Sequence, residues 1–182
     1  MTTLARPKDA LLIIDVQNAV VGTAHQRDER VATMAVAVEH ARRAQVPVIW
    51  VQHSDPWLVR DSEDWQIVPE LSPLEEEHRV HKLYRSSFEA TNLEEILYEL
   101  VVGHLYVAGA ETNNCVRHTS HAALERGYDV TLLSDAHTTS SFDTAQGLVE
   151  AEIVINELNA NFADYQLPGR MASAILVSDL PW

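Results

Sequence analysis

Residues 105–116 read LYVAGAETNNCV, an apolar run, a polar turn and the only cysteine of the chain. Gly109 permits backbone conformations that a β-carbon would penalise, and the Thr-Asn-Asn run contains residue types typical of helix N-caps. We therefore expect a buried strand that turns into a helix, with Cys115 near the helix N-terminus. Such a position favours the thiolate and can bind an oxyanion, although many free cysteines are simply small core side chains.

Five other segments predict strands. Most of them are continuous apolar runs, which are typical of strands covered on both faces. They comprise residues 11–16, 48–52, 79–83, 128–134 and 174–177. Together with the strand before Cys115, they make six.

Helical patterns lie between most of these strands. Helix signals begin at about Asp28 and at residues 91–95, Gly127 is a natural C-cap, and a long helix is predicted over residues 144–162. Strands that alternate with helices specify parallel crossovers. The sequence therefore predicts an α/β fold, a three-layer αβα sandwich with a central, mostly parallel, six-stranded, Rossmann-like sheet, in a single domain over residues 1–182.

Charge and composition exclude several classes of function. A formal net charge of −14 repels phosphate backbones and anionic lipid, so we expect neither nucleic-acid nor membrane binding. One cysteine cannot form an internal disulfide, and the first ten residues contain no apolar leader. We expect a soluble cytoplasmic protein. A dinucleotide binder is disfavoured because no Gly-x-Gly-x-x-Gly turn follows the first strand.

Polar side chains cluster at or just after the ends of the predicted strands. Ligands of doubly wound sheets bind at the carboxyl ends of the strands. The residues are Asp15, His53, Asp55, Lys82, Cys115, Asp135 and His137. We expect one site there, in which His137 either orients a substrate or has a structural role.

Three segments resemble the isochorismatase-like cysteine hydrolase superfamily. They are residues 13–18 (IIDVQN), 81–93 (HKLYRSSFEATNL) and 109–116 (GAETNNCV). The resemblance extends along most of the chain. The family includes nicotinamidases, N-carbamoylsarcosine amidases, ureidoacrylate, maleamate and biuret amidohydrolases, and isochorismatases.

The resemblance implies a catalytic triad of Asp15, Lys82 and Cys115. It also implies a cis peptide bond between Ala110 and Glu111, and an oxyanion hole formed by the backbone N–H groups of Glu111 and Cys115. The residue types are consistent with this triad, since a lysine lowers a nearby thiol pKa and a carboxylate can carry the proton to a leaving nitrogen. The hypothesis is that the protein hydrolyses a C–N bond, in an amide or ureide of a small molecule, through a thioester on Cys115. Asp15 would act as general acid and base, and Lys82 would stabilise the thiolate. No cofactor is expected.

The pocket of this hypothetical enzyme is less well defined. Glu111 departs from the family, in which this position is often small or apolar, and a carboxylate pointing inward would disfavour anionic substrates. Candidate substrate contacts are Gln17, His53, Trp65, Tyr84 and Phe88, although lone aromatic residues more often belong to the core.

A metal site is not predicted. Nicotinamidases bind a metal through an Asp-x-His pair and further histidines, whereas His53 and Asp55 occur here in reversed order. A contribution from His78 would be needed to complete a site, and substrate contacts or structural hydrogen bonds are the alternative roles for the pair. This order argues against a nicotinamidase.

Two other functions stay open. Isochorismatases that cleave a vinyl ether often lack the cysteine, so Cys115 favours C–N hydrolysis; a catalytically idle scaffold that binds a small molecule is the second alternative. The family resemblance suggests a homodimer or homotetramer. The irregular segment with Trp57 and Trp65 is expected to be an ordered lid or interface, with both tryptophans as apolar anchors.

Overall fold

The computed structural model describes residues 4–182, and helices cover both faces of a central sheet. The strands are β1 (Lys8–Ile14), β2 (Val48–His53), β3 (His78–Lys82), β4 (Val102–Ala110), β5 (Asp129–Thr138), β6 (Phe142–Thr144), β7 (Gly147–Val149), β8 (Gln166–Leu167) and β9 (Arg170–Ile175). The helices are α1 (Asn18–Val21), α2 (Arg27–Arg43), α3 (Leu93–Glu99), α4 (Arg117–Glu125) and α5 (Ala151–Asp164). A π-helical turn (Thr112–Val116) precedes α4, and a 3-10 turn (Val177–Asp179) follows β9. The sequence prediction of no leader falls partly on residues 1–3, which lie outside the described residues.

Seven strands of the described chain form the sheet, in the order β3-β2-β1-β4-β5-β9-β8. All neighbours are parallel except β8 and β9. The winding direction reverses between β1 and β4, and such switch points are where doubly wound sheets bind ligands. The predicted fold class is confirmed, but the predicted number of six strands is wrong. No helix within residues 4–182 has the length and apolarity needed to cross a membrane.

The largest errors in the predicted helices and strands lie in the last third of the chain. The helix predicted over residues 144–162 begins only at Ala151, because β6 and β7 form an antiparallel hairpin before it. Gly147 in that hairpin has a φ of 118°, and its carbonyl accepts a hydrogen bond from the Thr144 hydroxyl. The seventh strand, β8, has only two residues, which is too short to produce an apolar pattern.

Alternate residues of the central strands face opposite layers. Leu11 and Ile13 of β1 belong to the core beneath α2, whereas Leu12 and Ile14 belong to the core formed with α3, α4 and α5. All four side chains are fully buried. Burial on both faces explains the continuous apolar run in the sequence of β1.

The backbones of β1 and β4 approach closely at Gly109, which is in register with Ile14. Gly109 has a φ of 124°, and a Cβ atom there would lie 2.1 Å from the carbonyl oxygen of Ile14. Glycine is therefore required for both its conformation and its size. This close contact places the ends of β1 and β4, and the residues that follow them, side by side.

The long connection between β2 and β3, residues 54–77, is ordered and pinned to the segment after β1. Gln17 and Ile67 form an isolated antiparallel bridge. Trp65 is 6% exposed and anchors the connection as predicted. The prediction of Trp57 as a second apolar anchor is wrong, because its side chain is 92% exposed.

Candidate active site

The carboxyl ends of four neighbouring strands bring polar side chains to one edge of the sheet. Asp15 follows β1, His53 ends β2, Lys82 ends β3, and Cys115 lies in the π-helical turn after β4. Because these strands are adjacent and parallel, their ends meet at the same edge. The three residues of the predicted triad thus come from three different strands.

Lys82 lies at the centre of this group. Its Nζ atom is 2.6 Å from Asp15 Oδ2 and 3.1 Å from Cys115 Sγ, and it also donates to the carbonyl of Tyr84. Lys82 and Asp15 are each 1% exposed. Charges interact strongly in such a buried setting, so the ammonium group is a fixed partner of both acids.

Asp15 has an unusual backbone conformation and a perturbed acidity. Its φ is 51°, in the left-handed region that aspartate tolerates better than most residues. Burial raises the pKa of the Asp15 carboxyl, and the positive charge of Lys82 opposes this rise. Asp15 therefore accepts a proton more readily than an exposed aspartate does.

The Cys115 thiol does not have the lowered pKa that the sequence predicts. Burial and the neighbouring Asp15 carboxylate raise the pKa of Cys115 to about 12, and the Lys82 ammonium offsets only part of this rise. The thiol is therefore protonated at neutral pH beside a carboxylate that can take its proton. The sequence prediction considered the helix N-terminus and the lysine, which lower a thiol pKa, but not burial, which raises it.

His53 connects this group to Asp55. Its Nδ1 atom lies 3.4 Å from Lys82 Nζ, and its Nε2 atom lies 3.3 Å from Asp55 Oδ2. The two ring nitrogens thus lie between the Lys82 ammonium group and the Asp55 carboxylate. Asp55 Oδ1 also accepts backbone N–H bonds from Leu58 and Trp57, each at 2.7 Å, and these bonds hold the pKa of Asp55 below its usual range.

Within residues 4–182, no group of three or more His, Cys, Asp and Glu side chains is placed to hold a metal ion. His78 cannot complete a site with His53 and Asp55. It begins β3 and is in register with Ile49, four residues before His53 on β2. The hydrogen bond between His53 and Asp55 instead joins the two side chains to each other.

A cavity of about 420 Å³ opens next to the thiol. A volume of this size suits a small-molecule ligand. Its wall includes Asp15, His53, Asp55, Trp57, Arg85, Glu111, Asn114 and Cys115. The cavity thus exposes the nucleophile candidate and its carboxylate to a ligand.

Among the five predicted substrate contacts, only His53 lines this cavity. Gln17 is fully buried, and its amide group donates to the carbonyls of His53 and Trp65. Its Oε1 atom accepts the backbone N–H of His53. The prediction that Gln17 contacts the substrate is wrong, because backbone groups of the protein occupy its hydrogen-bonding atoms. Through these bonds, Gln17 holds the long connection against the end of β2.

The three predicted aromatic contacts also lie outside the cavity wall. Trp65 stacks on His81 at 5.4 Å between ring centroids, and Phe88 packs against Tyr128 at 5.9 Å. Tyr84 is exposed, and its backbone carbonyl rather than its ring contacts the site. Trp65 and Phe88 are therefore core residues, which was the alternative interpretation.

The sequence analysis missed eight wall residues, among them Trp57, Arg85 and Asn114. A signal for Trp57 was present, because Asp55 followed by proline is a typical turn start, and an aspartate side chain often bonds the backbone two residues on. No comparable signal marks Arg85 or Asn114.

The turn between β4 and α4 carries the groups of the predicted oxyanion hole. The peptide bond between Ala110 and Glu111 is cis, as the family resemblance implies. Glu111 and Cys115 both line the cavity, and Glu111 Oε2 accepts a hydrogen bond from the Asn114 amide at 2.8 Å. The Glu111 carboxylate is thus held by another residue of the cavity wall.

His137 holds this turn in place from inside the fold. It is fully buried, and its two ring nitrogens bond the Thr112 hydroxyl at 2.9 Å and Asn159 Oδ1 at 2.8 Å. Burial lowers the pKa of His137 to about 4. These contacts favour the structural role for His137 over contact with a substrate.

Comparison with known proteins places this geometry in a family. An isochorismatase domain model matches residues 9–162. A streptothricin hydrolase from Streptomyces noursei is 31% identical over 149 residues, 79% of this chain; the chain spans only 59% of that relative's length. Nicotinamidase 3 from Arabidopsis thaliana is 29% identical over 147 residues, which cover 71% of this chain and 73% of the relative.

The fold agrees with these matches. The crystal structure of an isochorismatase from Pseudomonas putida superposes with a TM-score of 0.86 and 28% identity, covering 97% of this chain and 91% of the other. The matched domain contains every residue of the site described above. The chain therefore belongs to the isochorismatase family.

Proposed function

We propose that this protein hydrolyses a C–N bond, in an amide or ureide of a small molecule, by nucleophilic catalysis at Cys115. The observation that carries the proposal is the position of Lys82 Nζ, 2.6 Å from Asp15 Oδ2 and 3.1 Å from Cys115 Sγ. A buried acid and base pair beside a thiol, open to a cavity, is the arrangement that acyl transfer requires. A nicotinamidase among the relatives supports an amide bond as the target.

In the first half-reaction, the Asp15 carboxylate takes the thiol proton while the sulfur attacks the substrate carbonyl carbon. The negative charge moves to the carbonyl oxygen, where the backbone N–H groups of Glu111 and Cys115 are proposed to stabilise it. Protonated Asp15 then donates its proton to the nitrogen. The C–N bond breaks, ammonia or an amine leaves, and a thioester remains on Cys115.

In the second half-reaction, Asp15 takes a proton from water, and the resulting hydroxide attacks the thioester carbonyl. The C–S bond breaks, the acid product leaves, and the proton on Asp15 returns to the sulfur. Lys82 keeps its charge throughout and stabilises whichever of its two partners is negative. The site therefore returns to its starting protonation state.

A panel of small amides and ureides, scored by ammonia release, tests this proposal. On any substrate found, we expect Cys115→Ala to lower kcat/KM by at least about 1,000-fold, because the nucleophile is lost. Mass spectrometry of the acid-quenched wild-type enzyme should show an acyl adduct on its single cysteine. Substantial turnover by Cys115→Ala would overturn the covalent mechanism.

A further inference from the structure

The charges in the cavity wall do not cancel. Asp15 is paired with Lys82, so these two groups together contribute little net charge. Two further carboxylates, Asp55 and Glu111, line the cavity. Arg85, on an exposed turn, is the one lysine or arginine among the described wall residues. The cavity is therefore negative overall.

Neither of the two further carboxylates is paired with a lysine or arginine among residues 4–182. Glu111 accepts from the Asn114 amide, and Asp55 accepts from backbone N–H groups and from His53. Such donors fix the position of a carboxylate without supplying a full positive charge. Both side chains thus present a positioned anionic group to a ligand.

Trp57 adds an aromatic face to the same wall. Its side chain is 92% exposed, so it has almost no packing role in the fold. Its backbone N–H bonds Asp55 Oδ1 at 2.7 Å, and both residues line the same cavity. An indole face attracts a cation through its quadrupole, and a neighbouring carboxylate strengthens that attraction.

We propose that Glu111, Asp55 and Trp57 select a substrate that carries a positive charge, an ammonium or guanidinium group, on the part of the molecule that enters the cavity together with the scissile C–N bond. The proposal rests on the proposed function, because it requires the substrate carbonyl to lie at Cys115. The carboxylates bind the cation, and they repel a substrate with a carboxylate at the same place.

The single cysteine permits a test that needs no known substrate. Methanethiosulfonate reagents with trimethylammonioethyl and sulfonatoethyl groups are similar in size and opposite in charge, and both form a mixed disulfide with a thiol. Each rate at Cys115 is divided by the rate with 2-mercaptoethanol. About 0.3 M salt screens the general negative charge of the protein, because the Debye length is then below about 8 Å.

We expect the cationic reagent to react at least about tenfold faster than the anionic one, since a charged hydrogen bond or ion pair in a partly buried site has about that effect. Glu111→Gln should reduce this ratio at least about threefold, Trp57→Ala should reduce it, and Arg85→Gln should raise it. Glu125→Gln, which removes one charge from an exposed site on α4 outside the cavity, is the matched control. Equal rates, or a ratio that Glu111→Gln leaves unchanged, would overturn the proposal.

Three amides of equal length extend the test to catalysis: 5-aminopentanamide, hexanamide and adipamic acid. We expect kcat/KM to be highest for the cationic amide and lowest for the anionic one. Equal hydrolysis of all three, lost in Cys115→Ala, would refute the charge selection and leave the proposed function standing. If Cys115→Ala still hydrolyses the amides and the wild type shows the high reagent ratio, the proposed mechanism is refuted and the charge selection stands.

Discussion

In the proposed mechanism, one ammonium group sets the order in which protons move. Lys82 Nζ contacts a carboxylate that is 1% exposed and a thiol that is partly buried in the cavity wall. With Asp15 negative, the high thiol pKa keeps the proton on sulfur. A thiolate forms only as Asp15 becomes neutral, so the buried site holds one negative and one positive charge at every step. This avoids the cost of an unpaired charge in a low dielectric.

The coupling between the two acids gives a first prediction. We expect Asp15→Asn to lower the pKa of Cys115 from about 12, because the change removes a neighbouring negative charge and leaves Lys82 in place. The rate of alkylation by iodoacetamide, followed from about pH 6 to 10, should level off in the variant and keep rising in the wild type. Lys82→Met is the control and should keep the thiol pKa high. Identical profiles for wild type and Asp15→Asn would contradict this assignment.

His137 gives a second prediction, for stability against pH. Its pKa is lowered to about 4 in the folded protein, against about 6.5 in an unfolded chain. The unfolded state therefore binds more protons between these values, and the free energy of unfolding falls by about 3 kcal/mol as the pH drops from 6.5 to 4. In His137→Gln, whose amide can still bond Thr112 and Asn159, this part of the acid sensitivity should be absent. Urea unfolding at several pH values measures it, and parallel curves for both proteins would disprove it.

At the scale of the elements, the contact between β1 and β4 is the tightest constraint. We expect Gly109→Ala to destabilise the protein by about 3 kcal/mol or more, because a Cβ atom would lie 2.1 Å from the Ile14 carbonyl oxygen at a φ of 124°. Gly147→Ala is the matched control. Its φ is 118°, but a Cβ atom there meets nothing within 4 Å, so only about 1 to 2 kcal/mol is expected. Equal costs in urea denaturation would show that the close approach is unimportant.

The connection between β2 and β3 gives a prediction based on its two tryptophans. We expect Trp65→Ala to cost about 3 to 5 kcal/mol, because the side chain is 6% exposed and stacks on His81. Trp57→Ala removes a side chain that is 92% exposed and should change the free energy of unfolding by less than about 0.5 kcal/mol. Comparable losses of stability in the two variants would contradict the packing described here.

The elements also show what the sequence can and cannot predict. The strands that precede Asp15 and Cys115 could be predicted because strands buried on both faces have an unbroken apolar run in their own sequence. The role of Gln17 was not, because its hydrogen bonds reach residues 36 and 48 positions away. The pKa of Cys115 was mispredicted because its largest cause is burial, which depends on packing that only the folded chain creates.

At the scale of the whole molecule, charge is the dominant feature. The chain carries 27 acidic residues against 13 lysines and arginines, and this excess opposes the compact state. We expect the melting temperature to rise by a few degrees between about 0.02 and 0.3 M sodium chloride, as calorimetry can measure. Reversing one exposed charge, in Glu99→Lys, should weaken the salt dependence. A melting temperature that falls or stays constant would show that specific ion pairs outweigh the general repulsion.

Lys82 reaches the site from β3, which lies at the edge of the sheet and pairs only with β2 among the described strands. Outer strands detach at a lower cost than the strands in the middle of a sheet. In the proposed mechanism, catalysis therefore depends on a side chain that an edge strand holds in place. In increasing denaturant, turnover is expected to disappear before the far-ultraviolet circular dichroism of the whole fold changes, so activity reports local unfolding at this edge.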